Sequence, residues 1–431
     1  MRQFSKESQK QMTIPASRHE VESGPRAVPG TEERGLFGLS RIIDPLEKES
    51  FRDKYWEKQV LLVQREDPGC FSDLLTLDDV DLLLFSAGVN LDGIRVLTEG
   101  KEMPVSELEH LSGQNGRVTV LETLYQLYRT GSTIALNALE QRWEPLSRLS
   151  AELSAETSTR VQTNVYLTPG GGAQGLSPHY DTHDVCILQV HGVKRWNLYG
   201  TAHELPLRDQ PFDHSKVFER EVEQEIDLKP GDVLYLPRGT VHAATSTDSA
   251  SVHITVGFRP LLWNAVIQEA VNAVLGDDVR FRTGLPMGFA NDAQAQKETE
   301  ETLTDLLASL TSRLSPASMT AGAVKRAVSL ATPRLRHHLT DLEGVASIGL
   351  DTPVRRQPGI RWGIEAKPER IELRFHNKTV AFPVHVSDEV RYVATGGEPS
   401  FTPRSVPGLL DEPGRLVLVQ ALVREGFLTL S

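Results

Sequence analysis

Residues 174–199, QGLSPHYDTHDVCILQVHGVKRWNLY, decide how this chain is read. The run reads as a loop, a strand, a turn at His191-Gly192 and a second strand. His179 and Asp181 fall two positions apart at the start of the first strand, and period-two geometry puts both side chains on one sheet face. An imidazole and a carboxylate so placed occupy two neighbouring corners of a coordination sphere. The third ligand has to come from elsewhere in the chain.

Residues 228–257, LKPGDVLYLPRGTVHAATSTDSASVHITVG, supply it. Gly231 and Asp232 make a turn, Val233 to Leu236 a short strand, and Pro237 with Gly239 a second turn ahead of His242. Tight turns of this kind hold a histidine at a fixed depth in a small antiparallel barrel. His179, Asp181 and His242 then form the two-imidazole, one-carboxylate triad expected for non-haem Fe(II), with three positions left for a cosubstrate and oxygen. The same donors would hold another divalent metal, so composition alone leaves the ion open. A lone His-x-Asp pair arises by chance, and the downstream Gly-Asp-x4-Pro-x-Gly-x2-His is what favours a metal site. His183 shares parity with Asp181 but reads as a rim residue, because another ligand on this strand would crowd the open positions.

The 431 residues suggest two or three domains, and 33 Gly with 25 Pro fit many short strands joined by turns. Only Cys70 and Cys186 are present, which gives no disulfide framework and points to a reducing, cytoplasmic setting. The N-terminus lacks a secretory apolar core, and no apolar run of about eighteen residues exists. A net charge of −12, from 46 basic and 58 acidic residues, argues against a broad nucleic-acid surface and suits a basic protein or peptide partner.

Residues 1–33 are polar and read as a flexible leader. A catalytic unit over 34–260 follows. Helices are expected at 45–55, 78–85 (started by Thr76 and Asp79), 106–111, 120–128 and 142–155, with strands at 59–64, 133–137 and 163–167. They form a helical jacket around the barrel, and Pro169 to Gly172 makes a substrate-facing entrance. Asn164 and Tyr166 share a strand face ahead of the metal segment, as pocket residues or as barrel filler. On the strand through Ser251, His253 and Thr255, the residues Val252, Ile254 and Val256 face the other way. Lys194 is either a solvent-facing strand-edge lysine or a fixed ammonium in the pocket, able to neutralise the distal carboxylate of a dicarboxylate, with Thr255 assisting.

Residues 261–345 turn helical. Leu303, Leu306, Leu307, Leu310 and Leu314 form a stripe that either packs on the barrel or builds a homodimer interface. A helix over 321–339, interrupted near Pro333, carries the basic group Lys325, Arg326, Arg334, Arg336, His337 and His338. Residues 346–431 read as a small α+β helix-and-wing module, with strands at 371–375, 379–382 and 427–430 and a helix at 415–424. No Arg- or Lys-loaded recognition helix is evident there, so a structural or docking role is preferred to nucleic-acid binding.

With these motifs in place, the chain resembles the JmjC, cupin-like ribosomal oxygenases, a family of 2-oxoglutarate-dependent protein hydroxylases. The matching residues are Tyr55-Trp56-Glu57-Lys58, Asn164-Val165-Tyr166, His179-Tyr180-Asp181, the stretch from Asp184 to Trp196 with Gln189, Gly192 and Lys194, and Pro237-x-Gly-x2-His242 followed by His253-Ile254-Thr255. The resemblance covers about Phe37 to Pro286 firmly and the remainder more loosely. It implies a double-stranded β-helix (jelly roll) with a helical jacket, then a helical dimerisation region and a winged-helix-like domain. It further implies Fe(II) on His179, Asp181 and His242, with Lys194 on the distal carboxylate of 2-oxoglutarate. Asn164, Tyr166 and Thr255 would line that cosubstrate or the adjacent substrate pocket. Cys186 stands where relatives commonly carry an aromatic. The implied activity is hydroxylation of a histidine or arginine side chain of a ribosomal or other basic protein. Hydroxylation of a peptide or natural product, N-methyl-lysine demethylation, and a non-catalytic metal-binding cupin scaffold stand as alternatives.

Overall fold

In Arg160–Thr168, Val161, Thr163, Val165 and Leu167 are buried, while Gln162, Asn164 and Tyr166 between them stay partly open. That alternation is what a strand with one face on the core and one on a cavity requires. Ser251–Arg259 pairs antiparallel with it along its whole length, from Ser251↔Thr168 to Arg259↔Arg160. On this second strand Val252, Ile254, Val256 and Phe258 enter the core, as the sequence parity predicts. Asp184–His191 lies on the other side of Ser251–Arg259. It is buried on both faces, with Cys186 and Leu188 in one apolar cluster and Val185 and Ile187 in another.

A computed structural model describes residues 13–15, 37–87, 91–112, 117–215, 219–331, 335–396 and 400–430. Among them, nine strands form one sheet, in the order Thr13–Pro15, Leu61–Gln64, Val233–Leu236, Asp184–His191, Ser251–Arg259, Arg160–Thr168, Thr133–Leu136, Ile94–Thr98, Lys101–Glu102. A second sheet of three strands runs Thr240–Ser246, Lys194–Thr201, Gln224–Leu228. Trp196, Leu198, Ile226 and Leu228 of the smaller sheet pack with Leu62, Val185, Ile187, Leu234 and Leu236 of the larger one. This is a cupin-like, β-rich fold with helical regions.

The helices at Lys48–Lys54, Leu77–Ala87, Val105–Ser112, Arg117–Arg129 and Glu144–Thr157 stand where periodicity puts them, with ends shifted by up to three residues. Leu77–Ala87 starts with a reciprocal cap: the Asp79 amide donates to Thr76 Oγ1 at 3.2 Å and the Thr76 amide to Asp79 Oδ2 at 2.8 Å. The strands at Ile94–Thr98, Lys101–Glu102 and Gln224–Leu228 are absent from the sequence reading; Lys101–Glu102 is a two-residue edge strand, and Gln224–Leu228 is an edge strand that alternates against a short polar face. Of the expected leader only Thr13–Pro15 is described, pairing parallel with Leu62–Gln64, and the rest lies outside the described residues.

By contact the chain divides into Met1–Arg259 and Pro260–Ser431. The second unit carries the helices Trp263–Asp277, Ala293–Arg313 and Pro316–Ser329, then a three-stranded sheet of Trp362–Ala366, Arg370–Phe375 and Lys378–Pro383. Ser387–Thr395 and Glu412–Arg424 pack a separate core of Val390, Val393, Leu418, Val419, Leu422 and Val423 with Ile371, Leu373 and Phe375. Asp292 caps Ala293–Arg313 through the Gln294 and Ala295 amides. In that helix Leu303 and Leu307 are exposed. The expected interruption at Pro333, and Arg334 of the basic group, lie outside the described residues. The Ser387–Thr395 helix is absent from the sequence reading, since its β-branched Val and Thr content masks a helix that packing selects.

Candidate metal centre and its cavity

His179 and Asp181 do not stand on a strand. They precede Asp184–His191 in a loop, and His179 is held instead by an isolated bridge to His242. The His242 amide donates to the His179 carbonyl at 2.8 Å and the His179 amide to the His242 carbonyl at 3.1 Å. The Gly239 amide donates to the Asp181 carbonyl at 3.0 Å. Gly239 adopts φ +88° and its α-carbon faces the His203 carbonyl so closely that a Cβ would stand 1.8 Å from that oxygen. Glycine is therefore required at this turn. The expectation that strand parity aligns His179 with Asp181 is corrected: backbone pairing across the two segments aligns them.

One ligand atom from each of His179, Asp181 and His242 lies within 4.8 Å of the others. His242 Nε2 is 3.8 Å from Asp181 Oδ2, and the two imidazole centroids are 4.6 Å apart. Each imidazole places Nδ1 on a backbone carbonyl, His179 on Ser177 at 2.8 Å and His242 on Thr240 at 2.9 Å. With the proton assigned to Nδ1 by those bonds, both Nε2 lone pairs are left for a cation. Burial, with His179 beside it, holds His242 down to about 4, so the imidazole is neutral at ordinary pH. Burial works against the Asp181 carboxylate, but attraction to His183, His179, His242 and Arg259 outweighs it and holds the group below the usual carboxylate range. A neutral His242 imidazole and an ionised Asp181 carboxylate are protonation states that metal binding demands.

The segments carrying the ligands are tied together by a buried ion pair. The Asp184 carboxylate, fully buried, accepts from the Arg238 amide at 3.0 Å and from Arg238 Nη1 at 3.0 Å, and Arg238 also binds Glu57. Burial pushes Asp184 up to about 6 against the Arg238 bonds. Asp184 thus fastens the start of its strand to the turn leading into His242. It acts on the ligand geometry without facing the metal position.

The triad opens on a cavity of about 320 Å³ that Asn164, Tyr166, Lys194 and Thr255 also line. Lys194 is 2% exposed, so the strand-edge alternative does not hold. Its ammonium donates to Thr168 Oγ1 at 2.7 Å, and no carboxylate among the described residues pairs with it. Burial lowers this lysine to about 7. Asn164 Oδ1 accepts from the Ala138 amide at 3.0 Å, which commits that atom to the fold. Tyr166 stacks on His253 with centroids 4.9 Å apart. The sequence reading passed over Arg95, Gln162, Trp196 and Arg259 as cavity walls. Continuing the parity of Ser251, His253 and Thr255 to position 259 would have found Arg259. His183 reaches the wall beside Gly257, whose Cβ would stand 2.7 Å from the imidazole Cδ2.

Residues 138–266 match the family model of the JmjC domain. Ribosomal oxygenase 2 of Bos taurus is 31% identical over 61% of this chain and 56% of its own length. A bifunctional lysine-specific demethylase and histidyl-hydroxylase, NO66 of Drosophila persimilis, is 30% identical over 71% of this chain and 44% of its own. The chain thus spans about half the length of these relatives. The structure of the Escherichia coli ribosomal oxygenase YcfD with cobalt and 2-oxoglutarate superposes with a TM-score of 0.51 at 19% identity, covering 89% of this chain and 98% of that one. That likeness is one of fold.

Proposed function

We start from a chain that belongs to the JmjC, cupin-like ribosomal oxygenase family, and propose that it is an Fe(II)- and 2-oxoglutarate-dependent hydroxylase of a histidine or arginine side chain in a ribosomal or other basic protein. The observation that carries this reading is a triad of two imidazoles and one carboxylate sharing a cavity with a buried ammonium that has no carboxylate partner among the described residues. The donor set fits Fe(II), and an unpaired buried cation is tolerated where an anion completes it. His179, Asp181 and His242 would hold the metal. Lys194 would bind the distal carboxylate of 2-oxoglutarate by a charge-assisted hydrogen bond, with Thr168 orienting its ammonium. Asn164, Tyr166 and Thr255 would line the cosubstrate.

When bound, Fe(II) with 2-oxoglutarate and oxygen supplies the oxidising power to place one oxygen atom in an unactivated C–H bond, giving succinate and carbon dioxide. The polypeptide's part is positional. It keeps both Nδ1 protons on backbone carbonyls, excludes water from Lys194 and presents the target carbon from the open side of the cavity. Residues 346–431 are read as a winged-helix-like module, and the exposed Leu303 and Leu307 favour a homodimer. No helix of the described residues is long and apolar enough to cross a membrane, and the free cysteines favour a cytoplasmic setting.

The test is mass spectrometry of ribosomal proteins incubated with the protein, Fe(II), 2-oxoglutarate and oxygen. One residue should gain a single oxygen atom, with matching succinate, and His179→Ala should abolish both. Succinate formation unchanged in His179→Ala would overturn the assignment.

A further inference from the structure

The ladder between Arg160–Thr168 and Ser251–Arg259 ends in two arginines set directly opposite each other, Arg259 across from Arg160. Opposed residues of an antiparallel pair share a face, and like charges there repel. Parity places both on the face that carries Gln162, Asn164, Tyr166, His253 and Thr255, all of them cavity walls. Arg259 itself lines the cavity together with Asp181. It is partly buried, and it feels the charge of Arg208 from the 202–215 segment as well as that of Arg160. None of the three guanidinium groups has an ion pair or hydrogen bond among the described residues. By contrast Arg95, on the same cavity, is bound to Glu102 at 2.5 Å. Asp181 is the acid that faces Arg259, and in the hydroxylase reading its charge is shared with the metal.

Arg259, partly buried and unpaired on the cavity wall, with the exposed Arg160 and Arg208 adding positive charge beside it, makes this end of the cavity attractive to an anion. The anion is not the distal carboxylate of 2-oxoglutarate. Lys194 binds Thr168, at the opposite end of the same nine-residue ladder, roughly 26 Å along the strand at about 3.3 Å per residue. What reaches the arginine end has to enter with the substrate. A net charge of −12 disfavours a polyanionic nucleic acid and leaves a carboxylate on a polypeptide.

We infer that Arg259, with Arg160 and Arg208, forms a subsite for an acidic side chain of the substrate polypeptide close to its target residue. This rests on the hydroxylase reading and narrows its choice of substrate. Arg259 is here a specificity residue: it attracts a carboxylate neighbouring the target.

The experiment measures binding by fluorescence anisotropy, using the full chain loaded with cobalt(II) and 2-oxoglutarate so that no turnover intervenes. The probes are labelled peptides with a central histidine flanked by Glu, Gln or Lys. The Glu-flanked histidine peptide should bind about tenfold tighter than its Gln counterpart at low salt, with the preference shrinking as ionic strength rises. Arg259→Gln should reduce that ratio to within about twofold, Arg259→Lys should retain part of it, and Arg208→Gln, at an exposed position, should lower it less. A ratio unchanged in both Arg259→Gln and Arg208→Gln would overturn the inference. So would tightest binding of the Lys-flanked peptide, or equal competition by a short RNA. Visible charge-transfer absorption of the unsubstituted protein with Fe(II) and 2-oxoglutarate under anaerobic conditions reports on the hydroxylase reading separately: its absence alongside an intact acidic preference would remove that reading and leave the subsite.

Discussion

The two ends of the central ladder bring positive charge to the cavity by opposite means. At the Thr168–Ser251 end a single lysine is sealed from water and fixed by one hydroxyl. At the Arg160–Arg259 end the charge is multiple and partly exposed. A sealed, singular cation suits a small anion that is the same in every turnover, whereas an open cluster suits a group that varies with the macromolecule presented. Arg238 offers the contrast to both, because it too is buried but is ion-paired with Asp184 and Glu57.

The largest effect is expected at that paired group. Asp184→Ala leaves the buried Arg238 guanidinium with Glu57 as its one carboxylate among the described residues and should cost about 3 kcal/mol by urea denaturation, with weaker metal binding as the ligand segments loosen. A loss under about 1 kcal/mol would show that water replaces the carboxylate. Lys194→Ala comes next. Losing one charge-assisted bond should raise the 2-oxoglutarate requirement by about ten- to a hundredfold while the metal still binds. An unchanged requirement would remove the difference between the two ends.

The same lysine makes the ligand-free protein sensitive to pH. Its folded value of about 7 lies below the ordinary 10.5. Between those values the unfolded chain holds a proton that the folded chain has released, so stability should rise as pH rises through the window. The penalty is full below pH about 7. Lys194→Met should flatten that rise and stabilise the ligand-free protein by on the order of 2 kcal/mol near pH 7, opposite in sign to Asp184→Ala. Melting temperatures of the two proteins across this pH range check it, and parallel curves would contradict it. The smallest effect is expected at Gly257→Ala. The new methyl has to displace His183, which should cost about 1–2 kcal/mol and alter substrate binding more than metal binding.

Much of this site could be read from residue order. Turn chemistry at Gly231-Asp232 and Pro237-x-Gly239 located His242, and strand parity sorted Val252, Ile254 and Val256 into the core away from His253 and Thr255. What residue order hid was pairing between distant segments. His179 and Asp181 sit in a loop whose geometry comes from the His242 bridge, which no local period encodes. Asp184 reads as an ordinary polar start to a strand until Arg238 meets it from 54 residues away. Arg160, Arg208 and Arg259 are scattered basic residues in sequence, and become a group only when antiparallel register and the 202–215 segment gather them. Gln224–Leu228 was missed because three of its five residues are polar or charged, and it is pairing with Lys194–Leu198 that makes it a strand.

Anaerobic titration with Fe(II) and then 2-oxoglutarate, followed by visible charge-transfer absorption, examines the triad and the lysine together. Absorption should appear only when both are present and saturate at one iron per chain. It should vanish in His242→Ala, and in Lys194→Ala return only at higher 2-oxoglutarate. Full absorption in His242→Ala, or none in the unsubstituted protein, would contradict a metal held by His179, Asp181 and His242 beside a bound oxo-acid.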